Sequence, residues 1–265
     1  HEGITFEGVP LFEEYTMPLQ GGDSVLFAGR PDRGKTTVLS YLIPRACPSI
    51  NRLYNGERGV LWLVNEGRAD KILPRIYQGA LGCTLDELYE MRHNGTLRQK
   101  FSEAIQAPDD FIKVLPFHGK TIQDLELLVQ KYNPAMVVID MVEHVGGIHL
   151  ASKSETIGAL WERLRTLALT YDYVSIGTAQ ISVEGSDNLY PTYEHLAYTK
   201  TAVQGYTDII MMLGNRDVEG MENIRGLSLP KNKAKVGGKT SYPRLEFMVD
   251  FDRCQFYQRE TNLVD

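Results

Sequence analysis

Gly29-Arg30-Pro31-Asp32-Arg33-Gly34-Lys35-Thr36-Thr37 is the stretch from which every other part of this chain can be placed. It fits the pattern G-x-x-x-x-G-K-[ST]. Ser24-Val25-Leu26-Phe27-Ala28, just ahead of it, has the apolar, β-branched and aromatic character of a buried strand. A helix is predicted from Thr36 to Ile43, stopped by Pro44. Strand, glycine loop and helix in that order are the setting in which this motif cradles a polyphosphate. Gly29 and Gly34 let the backbone turn sharply and approach phosphate with no Cβ in the way. The N–H groups of the loop and of the helix start then face the anion, aided by the helix dipole. Lys35 supplies a mobile charge for the β- and γ-phosphates, and the hydroxyl of Thr36 is a magnesium ligand. The whole stretch, with Arg30, Pro31, Asp32, Arg33 and Thr37, is expected to bind ATP or another nucleoside triphosphate together with Mg²⁺.

Outward from this loop, apolar runs alternate with helical patterns. Gly59–Asn65, Phe111–Pro116, Ala135–Asp140, Tyr173–Gln180 and Asp208–Leu213 read as strands. Helices are predicted at 68–81, at 84–106 with a break around Asn94-Gly95, at 121–132 and at about 155–171. The third of these opens on a capping box, Thr121 with Asp124. Arg225–Leu229, Leu245–Val249 and Cys254–Gln258 read as short alternating strands, antiparallel at the end of the chain. The fold class is therefore α/β, a mainly parallel central sheet flanked by helices with short antiparallel strands at the C-terminal end. Pro10, Pro18 and Gly21-Gly22 break any periodicity near the start. Residues 1–20 are expected to be a lead-in or linker, and 21–265 one catalytic domain.

Composition excludes more than it identifies. The chain has 265 residues, 43% hydrophobic and 23% charged, enough to bury a large core in one domain. No apolar run approaches a membrane span, and no signal peptide opens the sequence. Cys47, Cys83 and Cys254 are scattered, which argues against a zinc module or disulfide framework and fits a reducing cytoplasm. His1 in place of Met allows that other domains precede this one. The net charge of −6 does not announce a nucleic-acid binder. It does not exclude one either, because an acidic oligomer can enclose a basic channel. Lys231, Lys233, Lys235 and Lys239, with no acid among them, form the most basic window.

Three polar residues end predicted strands, at the carboxyl edge where open α/β sheets bind ligands. Asp140 is placed to hold Mg²⁺ through its water shell beside Thr36, in preference to merely capping a turn. Glu66 is placed to orient and deprotonate the water that attacks the γ-phosphate, although a helix N-terminus also favours an acid. Gln180 is either a sensor of the γ-phosphate or a polar strand end. His144 and His149 near Glu143 lack a credible metal-ligand set. Trp62 and Trp161 fall in apolar patterns and are expected in the core.

Gly29–Thr37, Glu66 with Arg68–Arg75, Val137–Asp140, Thr178-Ala179-Gln180 and Lys231-Asn232-Lys233 follow one another as in the RecA-like ATPases. Over residues 18–260 the chain most resembles the DnaB-type replicative helicase domain, including that of phage primase-helicases. The resemblance implies an ATP-driven DNA helicase motor in a bacterial or phage-infected cytoplasm. It assembles into a ring, commonly a hexamer, on single-stranded DNA, with a primase or loader as partner. It gives Lys35 and Thr36 the phosphate and magnesium roles, Glu66 that of catalytic glutamate, Asp140 that of second magnesium-side acid and Gln180 that of sensor. Lys231 and Lys233 correspond to a pair that reaches the neighbouring subunit's ATP site. Helicases of this type carry Arg at the second position, whereas Lys233 is closer to the lysine pair of RecA recombinases, and Lys lacks the planar fork of Arg.

The resemblance also places single-stranded DNA against the loops Glu143–Glu155 and Ile181–Gln204. Lys153 and Lys200 are the cations these offer, and Tyr193 and His195, with Tyr190, are aromatic groups able to stack on bases. The alternative is a RecA-type recombinase or strand-annealing ATPase that forms filaments on single-stranded DNA. A regulatory or packaging ATPase on the same fold is a third, weaker option.

Overall fold

In the computed structural model, residues 2–198 and 200–259 are described. The elements in chain order are α1 (Pro10–Glu13), β1 (Ser24–Gly29), α2 (Lys35–Tyr54), β2 (Val60–Val64), α3 (Ala69–Leu81), α4 (Leu85–His93) and α5 (Leu97–Ile105). Then come β3 (Ile112–Pro116), α6 (Ile122–Tyr132), β4 (Met136–Asp140), α7 (Lys153–Tyr171), β5 (Val174–Gln180) and α8 (Lys200–Gly205). β6 (Ile209–Gly214), β7 (Ile224–Asn232), β8 (Arg244–Asp250) and β9 (Gln255–Gln258) complete the chain. Among the described residues the sheet order is β3-β2-β4-β5-β1-β6-β7-β8-β9. The first six are parallel neighbours, and β7, β8 and β9 add on antiparallel.

β1, β2 and β4 are buried along their whole lengths, as befits parallel strands covered on both faces. Side-chain alternation splits the core in two. Val60, Trp62 and Val64 join Leu39, Ile43 and Ile50 of α2 on one face. Leu61 and Leu63 join Leu125 of α6 and Trp161 and Leu164 of α7 on the other. Both tryptophans are core residues, and the three cysteines are free and buried. The capping box of Thr121 with Asp124 is present, and similar boxes start α4 and α7. Among the described residues no helix is long and apolar enough to cross a membrane.

One expectation is corrected. The helix after the glycine loop does not stop at Pro44: α2 runs through Pro44 and Pro48 to Tyr54 and ends on Asn55 in the left-handed region. Proline at 44 leaves the Ser40 carbonyl without its helical amide. Gly79 of α3 packs directly on that carbonyl, so closely that a Cβ at Gly79 would lie 1.9 Å from it. The Arg45 guanidinium ties the same region by donating to the carbonyls of Tyr41 (2.6 Å) and Gly79 (2.9 Å). Burial of Leu42, Ile43, Ala46, Cys47 and Ile50 supplies the driving force that overrides the two prolines.

The lead-in or linker of residues 1–20 packs on the domain that follows it. Ile4 pairs with Leu19, Phe6 packs on Phe12 with ring centroids 4.5 Å apart, and Val9 and Leu11 are buried in the core that faces α2. Tyr15–Met17 then runs beside the stretch that follows β7. Met17 N–H donates to Ala234 O and Val236 N–H to Tyr15 O.

Candidate active site

The phosphate loop leaves β1 at Gly29. A Cβ there would come 3.0 Å from Cγ of Lys35 and 3.2 Å from Cβ of Leu213, so glycine gives Lys35 room to fold back over the strand end. Gly34 sits at φ +113 as the N-cap of α2 and offers no side chain to its first turn. The first-turn N–H groups are therefore left for an anion. These two glycines make a cradle of the shape and polarity a polyphosphate requires. A cavity of about 460 Å³ opens above it, lined by Gly34, Lys35, Thr36 and Thr37 on one side and by Glu66 and Lys71 on the other. Pro31 and Asp32 also line it, so the structure brings the loop and the predicted base to one cavity.

Lys35 is buried. Its ammonium donates to Sδ of Met141 at 3.4 Å and to the carbonyl of Ala179 at 3.5 Å. Burial pulls its pKa below the ordinary lysine value, opposed by Glu66, Asp140, Glu143 and Asp32. Asp140 ends β4 and is 3% exposed. Its Oδ1 accepts from the Thr178 hydroxyl at 2.8 Å, and that hydroxyl in turn accepts from the Met141 N–H at 3.4 Å. Burial raises the Asp140 carboxyl above its usual range, against the lowering influence of Thr178 and Lys35. Met141 follows at φ +39, a strained position of the kind found at functional sites. A threonine hydroxyl and a buried carboxylate are the hard oxygen ligands that magnesium prefers, so the Thr36–Asp140 pair fits Mg²⁺ in chemistry.

Glu66 lies on the bend between β2 and α3 and is exposed. Gln180 is in register with Gly29, so the predicted sensor stands beside the start of the phosphate loop. Arg30 pairs with Asp217 at 2.9 Å, and Arg33 lies 3.6 Å from the same carboxylate. Thr37 Oγ1 accepts from Arg75 at 2.5 Å.

Lys231 and Lys233 do not join this site. β7 is antiparallel, and Lys231 stands opposite Ile210 near the start of β6, whereas Gly226 stands opposite Gly214 at its end. The lysine pair is thus at the other edge of the sheet from its own phosphate loop, and the Lys231 ammonium donates to the Gln204 carbonyl. Burial, with Lys233 close by, lowers the Lys231 pKa.

The two loops predicted to meet DNA are largely folded. The segment after β5 contains short turns at Val183–Gly185 and Tyr193–His195, and Ile181 bridges to Leu196. His195 is engaged within it, since its Nδ1 accepts the Thr192 N–H at 2.9 Å. Tyr193 packs partly against the core on the α7 face. Lys153 is ion-paired with Glu143 at 3.0 Å and lies over the Tyr198 ring at 3.9 Å, joining the two loops. Lys200 opens α8, and its side chain lies outside the described residues.

Three residues that touch the phosphate loop carry no sequence signal. Phe251, just past β8, packs on the loop: a Cβ at Gly34 would lie 3.3 Å from its ring. Arg225 stacks over that ring at 5.1 Å and donates from Nε to the Arg33 carbonyl at 2.8 Å. Asp217 holds the loop arginines. All three come from the antiparallel end of the sheet and reach the loop through strand order, which leaves no local sequence signal.

Fold and site together define a RecA-like P-loop ATPase domain. The profile of the family described as AAA domain matches residues 15–186, and the chain belongs to that family. No curated protein sequence matches it. Among solved structures it is similar to one described as a DnaB-like replicative helicase and its interactions with primase, with a TM-score of 0.74 and 18% identity. That match covers 97% of this chain and 62% of the other, so the chain spans under two thirds of that protein's length. It is also similar to a second solved structure, described as an ATPase domain, with a TM-score of 0.70 and 18% identity over 92% of this chain and 87% of that one.

Proposed function

We propose that this chain is the ATP-hydrolysing motor domain of a ring-forming, DnaB-type helicase that moves along single-stranded DNA and separates duplex. The observation that carries the reading is the single cavity shared by the phosphate loop and Glu66. In this reading the loop amides and Lys35 hold the triphosphate, and Glu66 orients the attacking water and takes its proton. Thr36 and Asp140 would hold Mg²⁺, which would supply positive charge to offset the negative charge that develops on the phosphates. Gln180 stands where a change at the phosphate loop can be passed to the segment after β5, and Phe251 offers an aromatic wall.

Lys231 and Lys233 stand at the far sheet edge, away from their own phosphate loop. That position supports a role in the site of a neighbouring subunit, hence a ring, with a hexamer as its expected form. Single-stranded DNA would pass by the segments after β4 and β5, with Lys153, Tyr193, His195 and Lys200 as the candidate contacts. Because Lys153 and His195 are already engaged, DNA contact there requires them to exchange partners. A primase or loader, and a bacterial or phage-infected cytoplasm, complete the proposal. The Lys-x-Lys pair favours a second reading, a RecA-type filament, which microscopy separates by an open helical assembly in place of a closed ring.

Steady-state ATP hydrolysis with and without single-stranded DNA, beside Glu66→Gln, tests the motor. Strong stimulation that the variant abolishes while still binding nucleotide is expected. Hydrolysis indifferent to DNA overturns the helicase reading.

A further inference from the structure

The turn that carries Glu66 is gripped from both sides. β2 lies between β3 and β4, so the loops leaving those two strands flank whatever follows β2. From the loop after β3, His118 Nε2–H donates to the Gly67 carbonyl at 2.6 Å. From the loop after β4, His144 Nδ1–H donates to the Asn65 carbonyl at 3.3 Å. Those are the carbonyls immediately before and after Glu66.

The start of the turn is also tied to β4, where the Asn65 N–H donates to the Asp140 carbonyl at 3.1 Å. The Glu66 carboxylate takes no hydrogen bond from the described residues, and Gly67 sits at φ +74 with no atom near where a Cβ would be. Glycine at such a position is free to adopt other conformations. The Asn65 side chain adds nothing to the turn, because its buried carboxamide has no hydrogen-bond partner among the described residues. The direction of the Glu66 carboxylate therefore follows from where the Asn65 N–H bond and the two imidazoles hold the backbone on either side of it.

We propose that His118 and His144 are positioning residues for Glu66, and that His144 links the loop after β4 to the aim of that carboxylate. The inference rests on reading Glu66 as the base for ATP hydrolysis. Neither imidazole touches the reacting atoms. Each fixes one end of a three-residue turn, and a general base displaced by a fraction of an ångström loses its alignment with the attacking water. The loop after β4 begins at Met141 beside Lys35 and includes His144 and Glu143. A DNA strand seated on that loop moves His144 and, through the Asn65 carbonyl, Glu66.

The test uses the whole chain with His118→Ala, His144→Ala, the two Gln variants and Glu66→Gln. ATP hydrolysis is measured with and without oligo-dT, and affinity for a fluorescent ADP analogue is measured by titration. Each Ala variant is expected to lower kcat about tenfold, with KM and ADP affinity within about twofold of the parent. Gln retains an N–H donor, so each Gln variant is expected to recover most of the rate. In His144→Ala the DNA-stimulated rate falls more than the basal one. Parental kcat in both Ala variants overturns the proposal. So does a loss of rate matched by a loss of ADP affinity, or one that Gln fails to rescue. Parental rates from Glu66→Gln overturn the base assignment itself. An inactive Glu66→Gln beside fully active Ala variants overturns only the clamp.

Discussion

The two carboxylates of the site, Asp140 and Glu66, sit on neighbouring strand ends and are held in opposite ways. Asp140 is 3% exposed, hydrogen-bonded by Thr178 and raised in pKa by its burial. Glu66 is exposed, and only its backbone neighbours are tied, through His118 and His144. An acid that holds a metal gains from a rigid, buried setting, whereas a base must meet a mobile water and be switched by what binds nearby. The difference separates a fixed half of the site from an adjustable half.

The largest effect expected comes from the adjustable half. Glu66→Gln removes the proton acceptor and keeps the shape, so kcat falls by about a hundredfold or more, while thermal stability and ADP affinity stay near the parent. Asp140→Asn also loses hydrolysis, but with the opposite stability signature. The raised carboxyl means that the native state binds its proton more readily than the unfolded chain does. Stability is therefore lost as pH rises from the unfolded towards the folded pKa, so above the ordinary carboxylate range the buried Asp140 weighs against folding. Asn still accepts the Thr178 hydroxyl and carries no charge, so its Tm without nucleotide is expected to exceed the parent's at a pH above the ordinary carboxylate range. A Tm rise in Glu66→Gln, or a fall in Asp140→Asn, would erase the distinction between the two acids.

Gly79→Ala probes the joint between the halves, since α2 follows the phosphate loop and α3 follows the Glu66 turn. The added Cβ would meet the Ser40 carbonyl at 1.9 Å, and backbone cannot yield as a side-chain tip does. A cost of about 1–3 kcal/mol is expected from such overpacking, read as a fall of several degrees in Tm. The separation of α3 from α2 moves Glu66 relative to Lys35, so kcat drops as well. Unchanged stability would mean that Pro44 is accommodated by some means other than this contact.

The same joint explains what the sequence could and could not disclose. Ser24–Gly29 and Met136–Asp140 were legible because a buried parallel strand is an unbroken apolar run, and the acid or glycine loop at its end marks the site. The capping box at Thr121 and Asp124 was legible because its hydrogen bonds join residues three apart. Pro44 misled because a local rule predicted a stop, and the contact that overrides it comes from Gly79 on another helix. Ile4, Phe6 and Leu19 lie in a stretch with no periodicity, so their burial follows from tertiary packing alone. Phe251, Arg225 and Asp217 were invisible for a related reason: the order of β6, β7 and β8 in the sheet, not sequence proximity, brings them to the phosphate loop.

The smallest effect expected is electrostatic and belongs to the fixed half. Asp217 pairs with Arg30 and Arg33 of the phosphate loop, and its backbone N–H donates to Asp187 Oδ1 at 2.8 Å, while Arg216 holds the same oxygen at 3.0 Å. Asp187 belongs to the segment after β5, so this cluster connects the phosphate loop to one of the two loops proposed to meet DNA. All its members are solvent-accessible, and such pairs contribute about 0–1 kcal/mol to stability, so Asp217→Asn is expected to leave Tm almost unchanged. Its charge acts differently on a polyanion. A unit charge about 10 Å from a bound phosphate in water is worth about 0.4 kcal/mol, close to a twofold change. Asp217→Asn removes that repulsion and frees two arginines, so KM for ATP falls about twofold in low salt. The gain disappears near about 0.5 M salt, where the Debye length is only about 4–5 Å. A rise in KM in place of a fall would show that the ion pairs shape the loop more than the charge repels the ligand, and would move Asp217 to the adjustable side of the site.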